Sequence, residues 1–335
     1  MKKILIIRLD GLGDTLLTLP LLDELKTCWP DCEITYMASL RGAPVFAADS
    51  RITHLWTQEL ANLSKAEKEA LGEKIRSAAF DIVFCLNEKF WPAMWTWKSG
   101  APVRLGFDPG WTQLPKTLLR RLTLTHRLPH PNDPARKSIH EVERYAALAA
   151  QAGCPSAVGP LRLEVPAEAK AWATPALASL GIPDNAVPIG LHLSAKWASE
   201  GWDSRTCLAV ARAILDRFAA AFLIVTAGPG EERFFENASA VLPPGRFHLF
   251  TDMELSHWAA LTASCRALVS MDTGAVHLAS AVATPVVVVF PERNFVHASS
   301  RWSPWQVPHR IIRRPAPASP DHFLTEICSA LEDLL

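Results

Sequence analysis

The chain of 335 residues is 49% hydrophobic, more than one ordinary core accommodates, so it should fold as two domains. Lysine plus arginine balances aspartate plus glutamate at 34 each, which argues against a bulk polyanion such as duplex DNA and leaves only local basic clusters to consider. The longest apolar run, residues 278–290, contains Ser280 and Thr284 and breaks at Pro285, too short and interrupted for a bilayer span.

At the N-terminus, Lys2 and Lys3 precede Ile4-Leu5-Ile6-Ile7, a strand, but Arg8 and Asp10 end the run before a signal-peptide core is complete. The expectation is a cytosolic protein without a transmembrane segment. Gly11-Leu12-Gly13-Asp14 then leads into an apolar helix expected over 15–26. The junction invites a dinucleotide reading, yet Leu16 stands where G-x-G-x-x-G needs its third glycine. Asp14 would also repel a pyrophosphate at the helix N-terminus. A carboxylate there, with glycines that permit close approach, fits a general base; it fits an N-cap equally, and Asp10 fits either role.

Further strands are expected near 33–37, 81–86, 187–193, 221–226, 267–271 and 285–290. Helices are expected over 64–78, 138–152, 204–219, 231–240, 254–264, 275–283 and 320–334. This alternation is that of α/β domains with doubly wound parallel sheets. Pro and Gly punctuation between Pro155 and Pro166 marks a linker, giving domains 1–160 and 161–315 with a cleft between them as the default ligand site. A final helix within 316–335 carries the stripe Phe323, Leu324, Ile327, Leu331 and Leu334, expected to pack back toward the N-terminal domain.

The seven cysteines, at 28, 32, 85, 154, 207, 265 and 328, read as reduced core thiols. Cys28 and Cys32 form the close pair, but Pro30 intervenes and no second Cys/His pair follows, so packing is expected over metal ligation. The segment 90–97 is dense in aromatics and suits the core, although Trp at a surface also favours sugar faces or a bilayer interface. Lys116, Arg120 and Arg121, with His126 and Arg127, form the densest basic stretch of the N-terminal half, either an anion site or a solvated helix face.

In the C-terminal half, four loops after strands carry polar or glycine-rich sequence, where open α/β sheets bind ligands. Ser194 and Lys196 suit a phosphate, with Trp197 and Trp202 as stacking or packing surfaces. Gly228-Pro229-Gly230 turns into Glu231 and Glu232, which suit ribose hydroxyls and equally an ordinary first helical turn. Met253 opens the third loop. The fourth is Asp272-Thr273-Gly274 with His277 one turn on, a strand-to-helix junction whose backbone N–H groups should point at an anion.

These residues together resemble glycosyltransferase family nine, the lipopolysaccharide heptosyltransferases. The resemblance rests on Ile6 through Pro20, on His140-Glu141-Val142-Glu143-Arg144, and on Asp272 through Ala279 with Thr284-Pro285. It implies a GT-B fold, with two Rossmann-like domains facing a cleft: an N-terminal acceptor domain and a C-terminal nucleotide-sugar domain. It further implies metal-independent, inverting transfer of heptose from ADP-heptose to an anionic lipopolysaccharide-core acceptor at the cytoplasmic face of the inner membrane, with no cofactor. Asp14 matches the family's proposed base. Ser194, Lys196, Glu231, Glu232, Met253, Asp272, Thr273, Gly274 and His277 become donor-site candidates, and Gly13, Lys116, Arg120 and Arg121 acceptor-site candidates.

Two departures stand out. Where the family usually has a lysine shortly before Trp-Pro, this chain has Ser199-Glu200-Gly201-Trp202-Asp203, with Lys196 earlier. Where the family usually shows Gly-Pro-Thr, Pro291-Glu292-Arg293-Asn294 stands. Another nucleotide sugar, or a protein or glycan acceptor, is the alternative within the fold. An NAD-dependent oxidoreductase and a noncatalytic nucleotide-sugar binder are the alternatives outside it.

Overall fold

The computed structural model describes residues 1–110, 113–129, 138–155, 158–183, 185–199, 202–314 and 320–335. They form two compact units, Met1–Gly159 and Pro160–Leu335. The first runs β1 (Lys3–Arg8), α1 (Leu12–Leu16), α2 (Leu19–Cys28), β2 (Glu33–Ala38), β3 (His54–Thr57), α3 (Lys65–Ser77), β4 (Ile82–Cys85), α4 (Phe90–Lys98), β5 (Val103–Asp108), α5 (Leu114–Thr123), β6 (His126–Pro129) and α6 (Glu141–Gln151). Its sheet has the order β3-β2-β1-β4-β5-β6, with every neighbouring pair parallel.

The second unit runs α7 (Ala167–Ala178), β7 (Val187–Leu193), α8 (Ala195–Ser199), α9 (Ser204–Arg217), β8 (Ala221–Ala227), α10 (Ala238–Val241), β9 (Phe247–Thr251) and α11 (Leu255–Ala263). It continues through β10 (Ala267–Met271), α12 (Gly274–Ala281), β11 (Val286–Pro291), α13 (Phe295–Trp302), β12 (His309–Arg314) and α14 (Pro320–Glu332). Its order, β12-β11-β10-β7-β8-β9, is again all parallel and repeats the plan of the first. In each, the first strand sits centrally and the chain then builds outward on both sides, the doubly wound arrangement.

Central strands are buried on both faces, which is why Ile4 to Ile7 and Val286 to Phe290 are continuous apolar runs. The strands that periodicity does not reveal include all the sheet edges, β3, β6, β9 and β12. Their sequences, such as His-Leu-Trp-Thr and His-Arg-Ile-Ile-Arg-Arg, are mixed because an edge needs backbone pairing on one side only.

Two expectations are corrected. The helix expected over 15–26 is two helices, α1 beginning at Leu12 and α2 carrying Pro20 in its first turn. The helix expected over 231–240 breaks into a 3-10 turn at Glu232–Phe235 and the short α10, with Asn237 left-handed between them at φ 62°. The stripe of α14 docks within its own unit: Phe323, Ile327 and Leu331 join the core shared by β7, β8 and α9. Phe323 lies edge-on to Trp202 at 4.7 Å.

The cysteines also differ from expectation. Cys28 at the end of α2 is disulfide-bonded to Cys154 beyond α6, with Cα atoms 5.5 Å apart across 126 residues of sequence. Both helices lie against one another, so the bridge fastens elements already in contact. Cys32, Cys85, Cys207, Cys265 and Cys328 are free and buried, and burial pushes the Cys207 and Cys265 thiols up to about 12.

Candidate active site

In each sheet the strand order reverses once, between β1 and β4 in the first unit and between β7 and β10 in the second. Loops after strands flanking such a reversal diverge to opposite faces and leave a crevice at the carboxyl ends. Both crevices hold a cation paired with an aspartate.

In the first unit, β1 ends at Arg8, which is only 8% exposed. Its guanidinium donates to Leu86 O at 2.5 Å and to Asp14 Oδ1 at 2.6 Å. Asp14 lies in the first turn of α1, where the helix dipole favours a negative charge. Its side chain is 35% exposed, and its second oxygen has no partner among the described residues. Asp10 lies 3.4 Å from Arg8 and 3.6 Å from Lys89, and accepts from Asn87 Nδ2 at 2.6 Å.

Asn87 lies two residues beyond β4 and ties the crevice together. Its carbonyl oxygen Oδ1 accepts from Leu9 N at 2.7 Å, and its main-chain oxygen accepts from Arg120. Arg120 also reaches Cys85 Sγ at 3.0 Å and is buried, so it braces β4 from within. Lys116 and Arg121 are exposed instead, although the sequence groups the three. Arg8, Asn87 and Lys89 are the residues that sequence reasoning missed. The available signal was a polar residue following a buried strand at the reversal point, visible only once β4 is known to neighbour β1.

In the second unit, Lys196 on α8 donates to Asp272 Oδ2 at 2.6 Å and to Asp272 O at 2.5 Å, anchoring the loop between β10 and α12. Thr273 caps α12, its hydroxyl accepting from Ala275 N at 3.3 Å, and Gly274 begins the helix. His277 is buried one turn on. Glu231 Oε1 accepts from Ala195 N and Oε2 from Gly228 N at 3.0 Å, so this carboxylate joins the loops after β7 and β8. Glu232 is exposed at the start of its 3-10 turn. Ser194 is buried, and its hydroxyl has no partner among the described residues. Met253 is half-buried against Ala260 and Leu261.

Trp197 and Trp202 are packing residues: both are buried, edge-to-face at 4.2 Å. Glu200 and Gly201 lie outside the described residues. At the other departure, the loop after β11 is held by a two-pronged pair between Glu292 and Arg313. Beneath the crevice His192 meets Thr226 Oγ1 at 3.0 Å and stacks on Trp258 at 4.8 Å, and burial lowers its pKa to about 4.

Two doubly wound units, each with a polar crevice at its switch point, define an enzyme of the GT-B architecture. The chain belongs to glycosyltransferase family 9 (heptosyltransferase), whose sequence profile matches residues 69–329, and it is a glycosyltransferase. Among curated relatives, lipopolysaccharide heptosyltransferase 3 of Escherichia coli is 23% identical over 300 residues, covering 88% of this chain and 83% of the relative. The crystal structure of a family 9 glycosyl transferase from Veillonella parvula is similar at TM-score 0.76 and 20% identity, covering 100% of this chain and 90% of that one. The structure of Escherichia coli ADP-heptose lps heptosyltransferase II is similar at TM-score 0.74 and 20% identity, covering 99% of both chains.

Proposed function

We propose that this protein transfers a heptose from ADP-heptose to a hydroxyl of the lipopolysaccharide inner core, a Kdo or heptose residue, with inversion and without a metal ion. The observation that carries this reading is the pair of unlike crevices. One holds a partly exposed carboxylate, and the other holds a lysine beside the amide end of a helix.

An inverting transfer is one displacement, in which the acceptor hydroxyl loses its proton while attacking the anomeric carbon opposite the departing ADP. Asp14 takes that proton. Arg8 occupies its first oxygen and fixes the orientation of the carboxylate, leaving the second to the acceptor. Gly13 beside it allows the sugar to approach closely. The leaving diphosphate gains charge, which the N–H groups at Thr273 and Gly274 and the ammonium of Lys196 stabilise, with Lys196 exchanging its Asp272 contacts for phosphate oxygens. Ser194 offers a further hydroxyl, and Asp272, Glu231, Glu232, Met253 and His277 shape the nucleoside and sugar subsites. Lys116 and Arg121, with Arg120 bracing from beneath, attract the anionic acceptor at the inner membrane surface. The names of the relatives, which include ADP-heptose and lipopolysaccharide, support this choice of substrates.

The test is calorimetric titration with ADP-heptose, ADP, UDP, GDP and NAD, followed by mass-spectrometric detection of heptosylated inner-core acceptor. Preference for ADP-heptose with product formation supports the reading. Tighter binding of UDP or GDP would leave the fold and base standing with a different donor, and binding of NAD alone would remove the transferase mechanism.

A further inference from the structure

We infer that the outer face of α5 docks on a bilayer containing anionic phospholipid. An amphipathic helix normally turns its apolar stripe inward. In α5 the pattern is inverted: Thr117, Arg120 and Thr123 are buried, whereas Leu114, Leu118 and Leu122, one turn apart, are 44%, 51% and 75% exposed. The inward polar groups are satisfied. Thr117 donates to Gly110 O at 2.6 Å, Thr123 donates to Leu119 O at 2.9 Å, and Arg120 reaches Cys85 and Asn87. The leucines are therefore outward because the polar face is engaged within the unit, and their apolar surface calls for a partner from outside.

Charge identifies that partner. Helix α5 contains Lys116, Arg120 and Arg121 and no acidic residue. Arg121 is exposed beside the leucines, and the exposed Arg127 donates to Arg121 O at 3.3 Å, although Arg121 also reaches Asp108 at 3.5 Å; Lys116 is exposed on the other side of the helix. A leucine stripe flanked by arginine is a composition that lies in a headgroup layer, apolar side chains below and cations at the phosphates. The adjoining α4 leaves Phe90 and Trp97 more than half exposed, aromatic groups suited to the same boundary. Because Arg120 holds Asn87, which in turn holds Asp10, α5 connects the lipid-facing leucines to the crevice of Asp14. Docking here brings that crevice to a membrane-held acceptor, a purpose that rests on the transferase reading above.

The experiment is co-sedimentation of the full chain with vesicles of phosphatidylethanolamine and phosphatidylglycerol, against vesicles of phosphatidylcholine, at low and high salt. Wild-type protein should bind the anionic vesicles in a salt-sensitive way, and the double substitution Leu118→Glu with Leu122→Glu should weaken binding by about tenfold or more. Both positions are exposed, so the variant should keep its circular-dichroism melt and its turnover on a soluble acceptor fragment. Equal vesicle binding by variant and wild type overturns the docking, as does no binding by either. A wild-type dimer that the substitutions dissociate, without vesicle binding, assigns the stripe to a second copy and also overturns it. Vesicle binding that follows these leucines with no heptose transferred leaves the docking standing and removes the transferase reading; transfer without vesicle binding does the reverse.

Discussion

The two units share one strand order and one device, a cation–aspartate pair at the sheet's reversal point, yet the device is turned to different ends. In the first unit the cation is a buried arginine, and the aspartate remains accessible in the first turn of α1. In the second, Lys196 is the more accessible partner and Asp272 the more sheltered, side chains being 32% and 15% exposed. In the transfer we propose, one arrangement presents a carboxylate to a hydroxyl and the other an ammonium and helix amides to an anion. Reversing which member of an ion pair faces solvent thus gives two crevices of unlike chemistry from one strand order.

The contrast breaks most sharply at Asp14. Asp14→Asn should lower transfer by about a thousandfold or more while ADP-heptose binding stays within about twofold, as removal of a general base requires. Turnover and calorimetry on the same preparation check this, and unchanged turnover would take Asp14 out of the mechanism.

A second asymmetry is the staple. The first unit carries the Cys28–Cys154 bridge, whereas Cys207, Cys265 and Cys328 of the second are free. Cys154→Ser should cost about 3–4 kcal/mol, toward the upper end for a long closed loop. Denaturant unfolding under oxidising and reducing conditions measures it, and the variant should be insensitive to reductant.

The units should also respond oppositely to pH. Burial raises the Glu24 carboxyl on α2 to about 7, and among the described residues neither of its oxygens has a partner. In the folded state its ionisation is disfavoured, so this group lowers stability as pH rises from about 4.5 to 7. Glu24→Gln should recover up to about 3 kcal/mol above pH 7 and almost nothing below pH 4.5. His192 has the opposite sign: its folded pKa is near 4 against 6.5, so stability is lost as pH falls through that window. His192→Phe, which can retain the stack on Trp258, should remove up to about 3 kcal/mol of that acid sensitivity. Urea titrations at several pH values would show it, and parallel pH profiles for both variants and wild type would refute both assignments.

The smallest expected effect lies at Lys196. Lys196→Met should reduce transfer about a hundredfold through weaker stabilisation of the leaving diphosphate. Loss of turnover with preserved affinity for the adenosine moiety alone distinguishes this from collapse of the Asp272 loop.

The strand-to-helix junctions at Gly11-Leu12-Gly13-Asp14 and Asp272-Thr273-Gly274 were legible in the sequence because glycine-bearing junctions have a local pattern. The Ile4–Ile7 and Val286–Phe290 strands were legible too, since central parallel strands are apolar throughout. The edge strands were not, because half-covered strands have no obligatory alternation. Local pattern also grouped Arg120 with Lys116 and Arg121; the fold separates them, because α5 turns its polar face inward.

What the sequence by itself determined is the alternating α/β character, the two-domain division and the glycine-bearing junctions. These follow from short-range periodicity and turn composition. Only the tertiary structure decided which loops meet. Arg8 finds Asp14 within six residues, but Asn87 reaches Asp10 across 77 and Lys196 reaches Asp272 across 76. Those meetings depend on the order in which strands join a sheet, a property of long-range pairing that no local pattern encodes.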